Sequence, residues 1–214
     1  MPRLVIFDCD GVLVDSERLA IKVDVDVMSR VGWRLTEAEA IEQFVGLSMA
    51  QIRAKVEARI GRCLPGTWEE DFNASLRQRY QAELRPVEGI VEALDSIEHG
   101  SCVASSGTHD KIRFSLSLTG LYSRFSGRIF SASEVSNGKP APDLFLHAAK
   151  SMGVRPKDCA VVEDSAPGVV AALAAGMTVF AYAGGVTPAA KLCLSDAVVF
   201  DDMRLLPNLL AAHI

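Results

Sequence analysis

Short, continuously apolar runs recur along the chain with polar breaks between them. They are Leu4-Val5-Ile6-Phe7, Cys102-Val103-Ala104, a weaker Arg128-Ile129-Phe130, Cys159-Ala160-Val161-Val162, Met177-Thr178-Val179-Phe180 and Ala197-Val198-Val199-Phe200. They are rich in β-branched residues and do not alternate with polar ones, which predicts strands buried on both faces of a parallel sheet. Between them, apolar positions fall at helical spacing. Ile90, Val91, Leu94 and Ile97 form one such face, and Leu144, Phe145, Ala148, Ala149 and Met152 another, with Gly153 as its terminator. Residues 167–175 form an Ala-rich helix closed by Gly176. Strand and helix in turn predict an α/β fold, a doubly wound parallel sheet.

One stretch breaks the alternation. From about residue 16 to residue 84 no segment reads as a strand, and the pattern is that of three or four helices punctuated by Gly32, Gly46, Gly61 and Pro65-Gly66. Thr36-Glu37-Ala38-Glu39 has the form of a capping box. The expected organisation is a catalytic α/β core from residues 1–15 and 86–214, with a small all-helical domain, residues 16–85, inserted after the first strand. Pro86 marks the return, and Trp33 and Trp68 are expected to pack within the insert.

Composition narrows the function classes. The chain has 214 residues, 49% of them hydrophobic and 23% charged, enough for one substantial core plus a small second unit. A net charge of -5 argues against nucleic acid, whose recognition requires a basic face. No apolar run approaches the length of a membrane span, and the N-terminus reads as an early strand rather than a signal peptide. Five scattered cysteines without a CxxC read as reduced thiols, mainly small apolar core residues, of a cytoplasmic protein. A monomer with a small-molecule substrate and no membrane partner is the expected state.

The chemistry lies just beyond the apolar runs. Ligands of an open parallel sheet bind at the carboxyl ends of its strands. There stand Asp8 and Asp10 after the first run, Ser105 and Ser106 after the second, and Glu163 and Asp164 after the fourth; Lys139 opens the helix between the third and fourth. Four carboxylates in one cleft repel unless a cation sits among them, and oxygen ligands suit Mg²⁺. A lysine and a serine suit a phosphoryl group. One carboxylate can attack phosphorus, and another, two residues on, can protonate the leaving oxygen and then activate water. His109, just past the second cluster, is a candidate substrate contact, with a solvent-facing histidine as the alternative.

Phe7-Asp8-Cys9-Asp10-Gly11-Val12-Leu13-Val14-Asp15-Ser16 resembles the first motif of the haloacid dehalogenase superfamily. Ser105 resembles the second, Lys139 within Gly138-Lys139-Pro140-Ala141-Pro142-Asp143 the third, and Val162-Glu163-Asp164-Ser165 with Pro167-Gly168 the fourth. The helical insert resembles the family's cap, and the nearest likeness is to the branch of β-phosphoglucomutases and sugar-phosphate phosphatases, phosphogluconate phosphatases included. The resemblance implies a Mg²⁺-dependent phosphatase working through an aspartyl-phosphate. Asp8 would be nucleophile and metal ligand, and Asp10 general acid/base with its backbone carbonyl on the metal. Asp164 would complete the metal shell, with Glu163 a ligand directly or through water. Ser105, Ser106 and Lys139 would hold the phosphoryl oxygens, with Lys139 also steadying Asp8.

Three other activities are set against this one. β-Phosphoglucomutases carry a His and an Arg where this chain has Ala20 and Met49, which favours hydrolysis over the alternative phosphosugar mutase. Haloacid dehalogenases lack an equivalent of Asp10 and need no metal. A receiver-type signalling switch has no helical insert after its first strand.

Overall fold

The computed structural model describes residues 2–45, 47–194 and 196–213. Gly46, read from the sequence as one of the breaks in the helical insert, lies outside them. The chain separates into two compact units: residues up to Asp15 together with those from Arg85 onward, and Ser16–Leu84.

In chain order the elements are β1 (Leu4–Phe7), then α1 (Glu17–Arg30), α2 (Glu37–Phe44), α3 (Met49–Ile60) and α4 (Trp68–Glu83) of the second unit. The first unit resumes with α5 (Ile90–Ser96), β2 (Gly100–Ser105), α6 (His109–Leu118), α7 (Tyr122–Phe125), β3 (Ile129–Ser131) and α8 (Asp143–Ser151). It ends with β4 (Cys159–Glu163), α9 (Ala166–Ala174), β5 (Thr178–Tyr182), α10 (Ala189–Leu192), β6 (Val198–Phe200) and α11 (Leu206–Ala212).

The strands form one parallel sheet in the order β3-β2-β1-β4-β5-β6. Each apolar run of the sequence supplies one of them. The central β1 and β4 are buried along their whole length, whereas β3 and β6, at the edges, are only partly so. On one face Leu4, Ile6, Cys102 and Val161 pack with Leu144, Phe145 and Ala148 of α8 and Val169 and Ala172 of α9. Each large apolar side chain buried there contributes about 1.5–3 kcal/mol. Phe7 stands opposite both Val103 and Val162, so β1, β2 and β4 end within two residues of one another and deliver the residues at their ends to one edge.

The segment between β2 and β3 departs from its sequence pattern. Ile112, Phe114, Leu116 and Leu118 alternate like a strand, yet the chain forms α6. Thr108 caps it, accepting from the Lys111 amide (3.3 Å), and Ile112, Ser115 and Leu116 are the buried face at helical spacing. Asp143 is the first residue of α8 and accepts from Asn137 Nδ2 (3.0 Å). The Asp15 amide donates to the Arg85 carbonyl (3.0 Å), which brings the two ends of the interrupted α/β unit side by side.

In the helical unit the Thr36–Glu39 capping box is present, with both reciprocal bonds (3.2 and 2.8 Å), and a second joins Ser48 and Gln51. Trp33 meets Phe44 edge-on with ring centroids 5.4 Å apart, and the buried Trp68 packs on Phe72 at 5.9 Å. One residue of α1 runs against the pattern. Asp24 is buried, and its Oδ1 has no hydrogen-bond partner among the described residues. Burial, with a smaller push from Glu17, raises its carboxyl to about 7. A raised carboxyl costs nothing below its unfolded pKa; as pH climbs from about 4 through 7 the unfolded chain ionises and folding stability falls. Asp24→Asn is therefore expected to flatten thermal stability over that window and to stabilise the protein at pH 8 by about 2–4 kcal/mol. Denaturation curves at pH 5 and pH 8 check this, and equal effects at both would refute it.

Cys9, Cys102 and Cys159 are buried free thiols, as core residues should be, but Cys63 and Cys193 are exposed, which corrects the reading of the cysteines as core. Among the described residues no helix is long and apolar enough to cross a membrane.

Candidate active site

The neighbouring ends of β1, β2 and β4 gather the polar residues at and just past them. Asp8 continues β1, its amide still bonded to the Val162 carbonyl (3.0 Å). The chain then closes a tight turn, in which the Gly11 amide donates to the Val14 carbonyl (2.9 Å) and the Leu13 amide to that of Cys9 (3.0 Å). Gly11 is required here twice over. Its φ is +75°, and a Cβ on it would lie 1.9 Å from Asp164 Oδ2. Asp164 thus rests directly on the Asp10-Gly11 turn, joining the first and fourth sequence clusters.

Lys139 is the hub. Its Nζ donates to Asp8 Oδ1 (2.6 Å), to Glu163 Oε1 (2.6 Å) and more weakly to the Ala104 carbonyl (3.3 Å). Its side chain is only 5% exposed, and its ammonium lies 4.9 Å from the centre of the Phe145 ring. The two carboxylates hold the lysine firmly protonated despite burial, which acts in the opposite sense. Asp8 feels burial most, which raises its carboxyl; Lys139 opposes that, while Glu163 and Asp10 add to it, and the balance stands at about 7.

Glu163 is fully engaged by the protein. While Oε1 faces Lys139, Oε2 accepts from the Ser165 amide (2.7 Å) and hydroxyl (2.9 Å). Ser165 in turn caps α9 by accepting from the Gly168 amide (3.2 Å), and a Cβ on Gly168 would lie 1.8 Å from Glu163 Oε1. Glu163 therefore fastens Lys139 to the start of α9.

Asp10 is held separately: Lys111 Nζ, in the first turn of α6, donates to its Oδ2 at 2.7 Å. Between the two acids, Cys9 is buried and its thiol is pushed well above the usual range by that burial and by both neighbouring carboxylates, so it stays neutral. Ser105 is buried at the end of β2 and its Oγ accepts from the Gly107 amide (3.2 Å), while Ser106 is exposed. His109 is exposed, with Nε2 2.5 Å from Glu134 Oε1; Glu134 also accepts from the Ser131 amide (2.8 Å) and meets His147 Nε2 through Oε2 (2.9 Å). Ser131 Oγ donates to the Gly107 carbonyl (2.7 Å). The loop after β2 is thus tied to the end of β3 and to α8.

All the strand-end residues singled out in the sequence lie at this edge of the α/β unit, and the structure adds Lys111, Ser131 and Glu134. Lys111 was legible in one respect: it stands three residues after the helix-capping Thr108, in the turn that must start at the end of β2.

The donor set can be tested against a divalent cation. Among the described residues no three acidic, histidine or cysteine side chains stand as a ready-made ligand cluster, because Asp8, Glu163 and Asp10 are turned to lysines. Yet the carboxylates of Asp8, Asp10, Glu163 and Asp164 outnumber the ammoniums of Lys111 and Lys139 by two. A hard dication fits that deficit and the all-oxygen chemistry, and it would draw the Asp8 carboxyl down from about 7.

Comparison with known proteins agrees with the fold and the motifs. Residues 5–182 match the family model described as haloacid dehalogenase-like hydrolase. Over 179 residues the chain is 33% identical to the 6-phosphogluconate phosphatase of Escherichia coli K12, covering 83% of this chain and 81% of that one. A conserved haloacid dehalogenase-like protein of Agrobacterium tumefaciens superposes with a TM-score of 0.90 at 32% identity, over 99% of this chain and 98% of the other. A family hydrolase of Deinococcus radiodurans, solved with bound phosphate and sodium, gives 0.83 at 28% identity over 98% and 95%.

Proposed function

Because the chain belongs to the haloacid dehalogenase-like hydrolases, we propose that it is a magnesium-dependent phosphomonoesterase acting on a small phosphorylated sugar or sugar acid. The observation that carries this reading is the buried Asp8–Lys139–Glu163 assembly at the strand ends. A carboxylate aimed out of a sheet edge, backed by a captive ammonium, is arranged for attack on an anionic centre.

In this mechanism Asp8 attacks phosphorus and the ester oxygen departs with a proton from Asp10. The resulting aspartyl-phosphate is hydrolysed by a water that gives its proton back to Asp10. Lys139, Ser105 and Ser106 bind the phosphoryl oxygens, and Lys139 keeps Asp8 oriented. Asp8, Asp164 and the Asp10 carbonyl would hold the magnesium ion, whose chemistry is to neutralise charge on the transferred group. Glu163, with both oxygens engaged by Lys139 and Ser165, acts by holding Lys139 rather than as a direct ligand. The sugar-phosphate class is supported by the likeness to 6-phosphogluconate phosphatase. Ala20, in α1, and Met49, the first residue of α3, speak for hydrolysis over a mutase.

A panel of phosphate esters tests this: p-nitrophenyl phosphate, 6-phosphogluconate, hexose 6-phosphates and β-glucose 1-phosphate, each with magnesium and with EDTA. Release of inorganic phosphate that stops in EDTA is the expected result. Undiminished turnover in EDTA, halide release from haloacids, or conversion of β-glucose 1-phosphate to glucose 6-phosphate in place of hydrolysis would overturn it.

A further inference from the structure

The Asp10 carboxylate has a partner that belongs to none of the four motifs. Lys111 Nζ lies 2.7 Å from Asp10 Oδ2, joining residues 101 positions apart. The lysine is well placed to be a fixed strut. Its amide is bonded to the capping Thr108 (3.3 Å), and its stem runs past Gly107, where a Cβ would lie 3.4 Å from Lys111 Cδ. Gly107 is itself bonded to Ser105 and Ser131. The base of Lys111 is therefore anchored to the loop that carries the phosphoryl-binding serine, and its tip holds the acid.

Resting on the phosphatase reading above, we propose that Lys111 is a positioning residue for proton transfer: it fixes the Asp10 carboxylate so that Asp10 is aimed at the leaving-group oxygen. The need for such a strut is physical. The terminal torsion of an aspartate is broad, whereas proton transfer needs donor and acceptor within about 2.6–3.2 Å. A charge-assisted hydrogen bond narrows the torsion. Asp10 enters the step protonated on Oδ1 while Oδ2 accepts from Lys111; that proton passes to the departing oxygen, leaving the Asp10 carboxylate that the Lys111 ammonium favours, and Lys111 keeps its charge throughout. The side chains of Lys111 and Asp10 are 42% and 20% exposed, and exposed ion pairs add little to stability, so losing this one leaves the fold in place.

The test uses leaving groups that differ in their need for a proton. The ratio kcat/KM reports events up to transfer of the phosphoryl group to Asp8, where an alkoxide must be protonated and p-nitrophenolate need not be. Lys111→Met is expected to lower kcat/KM about 10-fold or more on 6-phosphogluconate, or on the alkyl ester the panel ranks first, and less than about 3-fold on p-nitrophenyl phosphate. Lys111→Arg should restore most of the loss, and thermal denaturation should match wild type. Equal losses on both esters, or none on the alkyl ester, would overturn the positioning role while leaving the phosphatase reading intact. A wild-type protein that hydrolyses neither ester would overturn the phosphatase reading first.

Discussion

Asp8→Asn is expected to lower kcat by about 10⁴-fold or more on every phosphate ester the wild type hydrolyses. The amide cannot attack phosphorus, and no neighbour can replace it. Cys9 is buried with its thiol held neutral, Glu163 is bound on both oxygens, and Asp10 is turned to Lys111. The fold should persist, since the change removes one of two carboxylates on Lys139 and leaves the Glu163 pair in place. Steady-state kinetics with denaturation controls check this; an Asp8→Asn protein retaining a tenth of wild-type turnover would rule Asp8 out as nucleophile.

The largest effect on stability is expected at Lys139. Removing one partner of a buried ion pair strands the other charge, at a typical cost of about 3–5 kcal/mol, and Lys139 serves two carboxylates at 2.6 Å each. Lys139→Met keeps the stem and its contact with Phe145 but removes the charge. Without it Asp8, already raised to about 7 by burial and like charge, is raised further. A raised carboxyl loses stability as pH climbs toward its folded value. The deficit relative to wild type should thus be smallest near pH 3, where Asp8 is protonated in the folded variant and mostly so in the unfolded chain, and reach several kcal/mol at pH 8. Urea denaturation at the two pH values decides the matter. A deficit that does not change with pH would mean that Lys139 acts by packing alone.

How far the sequence could be read depended on burial. Strands β1 and β4, covered on both faces, left unbroken apolar runs that a parallel sheet explains at once. Helix α6 was illegible because Ile112, Phe114, Leu116 and Leu118 alternate, while the residues actually buried are Ile112, Ser115 and Leu116; a serine on the inner face hid the period. The identity of the site was legible because Asp8, Ser105, Glu163 and Asp164 end or directly follow strands, where the fold dictates their placement; Lys139, expected to open a helix, instead stands in the turn four residues before α8. The partnerships of these residues were not legible. Nothing in the spacing of Glu163 shows that its carboxylate is spent on Lys139 and Ser165. The grip of Lys111 on Asp10 spans 101 positions and arises only once the fold brings the first turn of α6 to the turn after β1.

The claim on which all else rests is that Asp8 carries the phosphoryl group in transit. Rapid acid quench of the enzyme during turnover of a phosphate ester with magnesium, with peptide mass spectrometry of the quenched protein, tests it directly. The expected result is an acid-stable phosphoryl adduct on Asp8 that forms and decays at rates compatible with kcat. Active enzyme that never labels Asp8, or that labels another residue at a competent rate, would contradict it.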